Sequence, residues 1–327
     1  MVDPVLNDPG RVWRLLRRLS GHVFTFAVTV LGAALFVLVL LYSAPGDPID
    51  LLPNADEVRP VLEAEWGLDK PLPVRFARWT AHALVGDFGT SVTYRPGAPV
   101  IEVIAGPALR SLAWAFCALG SALGIGTALA WFTAGRPALA RRAVQAISLI
   151  PLFLLAHVLV AGLNDVTWRL MARGTIDRPS WFAIPDQPST LRVVLAVGLL
   201  AVGSGALTGV HAAVEDALVR VRSSGYVDAA RALGTPTAPH VWRNLLPEVA
   251  AIAAARTATF VGGLVVLEKV LLLNGVGAIL WEAALLRDYN LAMGIAVVLA
   301  LVVATTRLVS DVVRTWMDPR ETAAEAP

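Results

Sequence analysis

The chain has 327 residues, of which 56% are hydrophobic and 16% charged, against roughly 25% charged residues in an ordinary soluble domain; its mean hydropathy is +0.65. That composition excludes a soluble globular protein and indicates a polytopic membrane protein. A net charge of +2, with arginines spread along the chain, leaves no basic patch for nucleic acid, and one cysteine, Cys117, excludes an intrachain disulfide or a cysteine-based metal cluster.

Apolar runs long enough to cross about 30 Å of hydrocarbon, which takes roughly 20 helical residues, are read near 22–44, 109–134, 143–163, 191–213, 249–273 and 291–314. The expectation is therefore an all-α protein with six transmembrane helices. The first run follows Arg11, Arg14, Arg17 and Arg18 in the N-terminal segment 1–21, but it exceeds the about 7–15 residues of a cleavable signal, and Pro45-Gly46-Asp47-Pro48 follows it. It reads as an uncleaved first helix at 22–44.

The segment 45–108 carries Glu57, Glu63, Glu65 and Trp66 in a helical pattern, then a breaker at Gly67-Leu68-Asp69-Lys70-Pro71, then a second helical stretch through Arg75, Phe76 and Trp79. Beyond it, 109–316 reads as a core of five helices, and 317–327 as a tail. The loop 135–142 holds Arg136, Arg141 and Arg142 and no acid, whereas 274–290 sets Arg287 against Glu282 and Asp288. The positive-inside bias places both termini in the cytoplasm, 45–108 and 164–190 outside, and 214–248 inside.

Within the spans, Gly120-x-x-x-Gly124 and Gly205-x-x-x-Gly209 suit close helix packing. Cys117 reads as a small buried apolar residue, and Trp66, Trp79, Trp168 and Trp181 as anchors at the water–membrane boundary or as substrate contacts. His157, in the third span, is read as a packed core histidine or as a residue lining a path. Ionisable groups inside a span are costly, by about 2.5–3.5 kcal/mol at mid-membrane. Arg256 and Glu268 thus stand out as candidates for a translocation path or gate, with snorkelling and a headgroup-level role as their structural readings.

Between the fourth and fifth spans lies a polar helix-turn-helix, 226–247. Ala229, Ala230 and Ala232 combine strong helix propensity with small side chains, which let a partner approach the backbone. Gly234 suits the left-handed residue that closes a helix, and Thr235-Pro236 or Thr237 to Pro239 the start of the next one. Asp228-Ala229-Ala230, three residues, Gly234, nine residues and Asn244-Leu245-Leu246-Pro247 resemble the EAA loop of ABC importer permeases. With Tyr226, Arg231, His240 and Arg243 added, the pattern is similar to that of the dipeptide, oligopeptide and nickel permease family. Pro45-Gly46-Asp47-Pro48, Gly67-Leu68-Asp69-Lys70-Pro71-Leu72-Pro73, Gly86-Asp87-Phe88-Gly89-Thr90-Ser91, Gly275-Val276-Gly277, Asp288-Tyr289, Asp311 and Asp318-Pro319-Arg320 extend the resemblance over nearly the whole chain.

No G-x-x-x-x-G-K-[ST] phosphate cradle occurs, the only lysines being Lys70 and Lys269. H-E-x-x-H, G-x-S-x-G and histidine pairs at metal spacing are missing too. No catalytic residue, metal site or cofactor is therefore assigned to the chain. The resemblance implies a permease subunit of a bacterial cytoplasmic (inner) membrane importer, forming a path for peptides or related small solutes. It also implies a second, usually non-identical, permease, two ABC ATPase subunits that use ATP and Mg, and an extracytoplasmic substrate-binding protein. The residues implied for ATPase coupling are Tyr226, Asp228, Ala229, Ala230, Arg231, Gly234, His240, Arg243, Asn244 and Pro247. The readings from other classes are a secondary transporter or channel, for which the spans offer few coupling carboxylates or histidines, and a non-transporting membrane scaffold.

Overall fold

The computed structural model describes residues 9–43, 49–51, 55–66, 69–134, 150–175, 190–203 and 205–317. Among them the regular elements are helices: α1 (Pro9–Ser43), α2 (Ala55–Trp66), α3 (Leu72–Ala83), α4 (Val100–Thr133), α5 (Leu152–Ala172), α6 (Thr190–Val202), α7 (Ala206–Arg222), α8 (Gly225–Ala232), α9 (Thr237–Val270), α10 (Val276–Leu285) and α11 (Tyr289–Met317). A short 3-10 turn spans Ile49–Leu51, and a single isolated bridge pairs Thr90 with Pro99.

Among the described residues four helices are long and apolar enough to cross a membrane, namely Ser20–Ser43 within α1, α4, α9, and Tyr289–Asp311 within α11. A fifth crossing is available if α6 and α7, bent by 45°, act as one broken span. The expectation of six transmembrane helices is thus met only in part. The fourth span, expected as one run over 191–213, breaks between Gly203 and Gly205, where Gly205 adopts φ +75°, a conformation cheap only for glycine. The third, expected over 143–163, corresponds to α5, whose last third carries Asp165 and Arg169. Residues 143–149 lie outside the described residues, as do Pro45-Gly46-Asp47-Pro48, Gly67-Leu68, the arginine loop 135–142, residues 176–189 with Trp181, and Asp318-Pro319-Arg320.

The chain divides into two compact units. One comprises Met1–Ile101 and Ala283–Val309. Both helices expected in 45–108 are present there as α2 and α3, and the Arg75 guanidinium lies 5.2 Å from the ring centre of Tyr289 and 5.9 Å from that of Tyr42. The other unit comprises Glu102–Glu282 and Ser310–Pro327, and α9 is its spine, packing on α5, α6, α7 and α8. The second helix of the expected helix-turn-helix is not separate from the fifth span. Both belong to α9, which runs for 34 residues through Pro247, about 51 Å at 1.5 Å per residue.

Small residues do bring helices together, but not all of those expected. A methyl group at Gly120 or Gly124 meets nothing within 4 Å, whereas one at Gly126 would lie 2.8 Å from Val210. The close approach of α4 to α7 is therefore at Gly126. Cys117, expected to be buried, is exposed on α4. His157 is also exposed, and the packed histidine is His211 on α7, whose Nε2 lies 2.8 Å from Thr133 Oγ1.

Candidate functional site

The turn between α8 and α9 is closed by Gly234, at φ +68°. Its N–H donates to the Arg231 carbonyl (3.1 Å), and the N–H of Thr235 donates to that of Ala230 (3.0 Å), the paired bonds that end a helix in a Schellman motif. Thr235 Oγ1 donates to the same Ala230 carbonyl at 2.9 Å. A methyl group on Gly234 would meet nothing within 4 Å, so the position demands a backbone conformation, not space. Pro236 then precedes α9, with Pro239 in its first turn, where a missing N–H costs nothing.

This knuckle has two faces. Val227 and Ala230, three residues apart, are buried, and Val227 joins Ala217 and Leu218 of α7 and Val241 and Leu245 of α9 in one apolar cluster. Ala230 was expected to present its small side chain to a partner, but it faces into the chain. Tyr226, Asp228, Ala229, Arg231, Ala232, Leu233 and Gly234 are exposed, Leu233 to 79%. Tyr226, Ala229 and Leu233 follow the i, i+3, i+7 spacing of one helical face. Asp228 and Arg231 pair at 2.8 Å, an exposed contact worth little by itself. On α9, His240, Arg243 and Asn244 are exposed, and Asn244 Nδ2 donates to the His240 carbonyl at 2.8 Å.

Sequence reasoning missed what fastens the knuckle to the spans. Trp242 of α9 stacks on Trp131 of α4 with ring centres 5.1 Å apart and planes 8° from parallel, and the Arg222 guanidinium lies 4.7 Å from the Trp131 ring centre. Arg220 and Glu248 pair at 3.4 Å. Aromatic residues at 131 and 242, with arginines at 220 and 222, are the only signal of this in the sequence.

Arg256 sits midway along α9, half-buried, and makes no hydrogen bond or ion pair with any described residue. A methyl group on Gly209 would lie 2.6–2.8 Å from its guanidinium, so the glycine of α7 gives the arginine its room. Near the other end of α9, Glu268 is 1% exposed and turned onto backbone. It accepts hydrogen bonds from Ser111 Oγ and from the N–H groups of Gly277 (2.7 Å) and Ala278 (3.2 Å), and Ser111 Oγ in turn accepts the Val276 N–H at 2.9 Å. Methyl groups on Gly275 and Gly277 would fall 2.1 and 2.9 Å from the Glu268 carboxyl. The Gly275-Val276-Gly277 signature is thus explained by the space its carboxylate needs.

In the first unit Asp288 plays a comparable part. Fully buried, its Oδ2 accepts from Ser91 Oγ (2.6 Å) and from the N–H groups of Val92, Thr93 and Tyr94 (2.9–3.2 Å), while Oδ1 caps α11 through the Leu291 N–H. Gly89, at φ +79°, turns the chain into this nest, and Asn290 Nδ2 donates to the Thr90 carbonyl. Asp87 accepts the Gly89 N–H and lies 3.2 Å from His82 Nδ1. These contacts hold its carboxyl below the ordinary value, a contribution present above the unfolded carboxylate pKa and lost as pH falls through the folded one.

Residues 120–322 match the family model of the binding-protein-dependent transport system inner membrane component. The chain belongs to this family. It is 30% identical over 323 residues to a glutathione transport system permease protein of Salmonella paratyphi A, covering 93% of this chain and 97% of that one. It is also 29% identical over 325 residues to a putative peptide permease protein of Brucella ovis (94% and 97% covered), and 27% identical over 303 residues to an oligopeptide transport system permease protein of Bacillus subtilis (89% and 94% covered). The chain is thus a multi-pass inner-membrane permease of the peptide ABC importer family, a transport subunit and not a catalytic one.

Proposed function

We propose that the knuckle 226–247 is the element through which a separate ABC ATPase drives this permease. The observation that carries the reading is the two-sided build of α8: one side anchored by Val227 and Ala230, the other offering Tyr226, Ala229 and Leu233 to a partner. Rigid attachment to α7, α9 and, through the Trp131–Trp242 stack, α4 lets a force applied to α8 reach the spans. Closure of an ATPase pair on ATP and Mg would then swing the pathway between inward and outward openings. The full assembly is two permease chains, non-identical, with two ATPases and an extracytoplasmic binding protein.

Both termini and the knuckle lie in the cytoplasm in this reading, with 45–108 outside, as the arginines of 135–142 favour. The cargo is a peptide or related small solute, in keeping with the relatives' names. Arg256 faces the path and attracts an anionic group of the cargo, and Glu268 acts at the outer gate. Affinity purification of the chain from its native membrane tests this. An ABC ATPase, a second permease and a binding protein carrying a peptide-like ligand, identified by mass spectrometry, are expected; a chain that transports after purification without any ATPase would refute it.

A further inference from the structure

The far end of α9 is tied to α10 at two points by two adjacent residues. Glu268 receives the first-turn N–H groups of α10, those of Gly277 and Ala278, while Lys269 Nζ donates to Glu282 Oε1 at 2.7 Å and lies 5.7 Å from the Trp281 ring centre. Neighbouring residues on a helix project about 100° apart. A rotation of α10 about one tie therefore breaks the other. Ser111 adds α4 to the same joint by bonding both Glu268 and the Val276 N–H.

The connection between the two helices is equally constrained. The Leu273 N–H donates back to the Glu268 carbonyl at 2.8 Å, and Leu272, not a glycine, holds φ +52°, a conformation that persists only where surroundings impose it. The Arg192 guanidinium donates to the Leu272 carbonyl at 3.4 Å. A methyl group at Gly277 would lie 2.5 Å from the Val265 backbone, so α10 sits directly against α9. At the knuckle end, the one gap in the α9 hydrogen-bond ladder, at Pro247, is spanned by contacts to α7 on both sides: Val241 and Leu245 before it, and the Glu248–Arg220 pair after it.

From this geometry we infer that Glu268 and Lys269 make α10 a rigid extension of α9, so that a tilt imposed at the knuckle is delivered at α10. Over the 34 residues of α9, each degree of tilt moves the far end by about 0.9 Å. Glu268 is then a positioning residue: its carboxylate touches no cargo and acts through the helix it holds. The inference rests on the reading of 226–247 as the ATPase-docking element.

The test is pulsed electron spin resonance on the reconstituted importer, with Cys117→Ser and spin labels at the exposed positions Leu246 on α9 and Ala284 on α10. In the unaltered joint the 246–284 distance should be the same in nucleotide-free and ATP-trapped states, while the distance from Ala284 to a label on the second permease changes. Glu268→Ala should broaden the 246–284 distance and lower uptake by about tenfold, with the ATPase still co-purifying. Lys269→Met, at a half-exposed side chain that leaves the fold intact, should broaden it less and lower uptake less. A 246–284 distance that shifts by about a helical turn, 5.4 Å, on ATP trapping in the unaltered protein would overturn the inference, as would full uptake by both variants. An importer whose ATPase does not bind the unaltered chain, or whose knuckle labels ignore nucleotide, would instead sink the docking reading on which the inference stands.

Discussion

Ser91 Oγ and Asp288 Oδ2 lie 2.6 Å apart although 197 residues separate them in the chain. The same oxygen takes three consecutive backbone N–H groups, so the carboxylate is the interior partner of a whole loop. Asp288→Ala takes the acceptor from all four donors at once, the buried Ser91 hydroxyl and the partly buried N–H groups of Val92, Thr93 and Tyr94, at up to about 1–3 kcal/mol for each group left unsatisfied. Ser91→Ala removes two bonds, the one to Asp288, at about 1.5–3 kcal/mol for a bond to a charged acceptor, and the one that Ser91 Oγ accepts from the Arg95 N–H, at about 0.5–1.5 kcal/mol. Thermal unfolding of the detergent-solubilised protein should place Asp288→Ala well below Ser91→Ala. Equal stability of the two variants would mean that the loop does not depend on this carboxylate.

At Gly234 the requirement is for φ +68° with open space around the Cα. Gly234→Asn should therefore be tolerated, because asparagine enters the left-handed region readily, whereas Gly234→Val should cost about 1–2 kcal/mol and reduce ATPase co-purification. Ala230→Asp should abolish it by a different route, burying a charge beneath the knuckle. Normal ATPase recovery with Gly234→Val would refute the backbone argument.

The orientation has a direct check. Ser91 is buried against Asp288 and would report poorly, so exposed positions serve instead. In a Cys117→Ser background, single cysteines replacing Val85 and Thr175 should react with an impermeant maleimide in intact cells, and one replacing Ser223 only after permeabilisation. Reaction at position 223 in intact cells would invert the topology.

Much of this was legible in the sequence. Apolar runs and helical spacing located α1 to α4 and α11, and the Gly234 cap followed from local backbone chemistry alone. What escaped were relations between distant residues. Nothing local in Gly275-Val276-Gly277 says that a carboxylate seven to nine residues earlier fills the space of two side chains, and no periodicity says that Ala230 faces inward while Ala229 faces out. The break at Gly203–Gly205 was hidden because the apolar pattern runs through it without interruption.

Arg256 offers a test of the path. Because its guanidinium has no partner among the described residues and rests over Gly209, Arg256→Gln should leave folding and ATPase binding intact while slowing uptake of carboxylate-bearing cargo more than of its amidated form, by about tenfold, the order of one charge-assisted hydrogen bond. Equal slowing of both would leave the arginine a structural role only.

The claim that matters most is that the outer face of α8 docks the ATPase, and site-specific photo-cross-linking reads it directly. A photoreactive residue at Leu233, exposed to 79%, or at Ala229 beside it on the same face, should join the permease to the ATPase subunit in native membranes, and one at exposed Val85 should not. Cross-links from Val85 to the ATPase, with none from Leu233 or Ala229, would contradict the account.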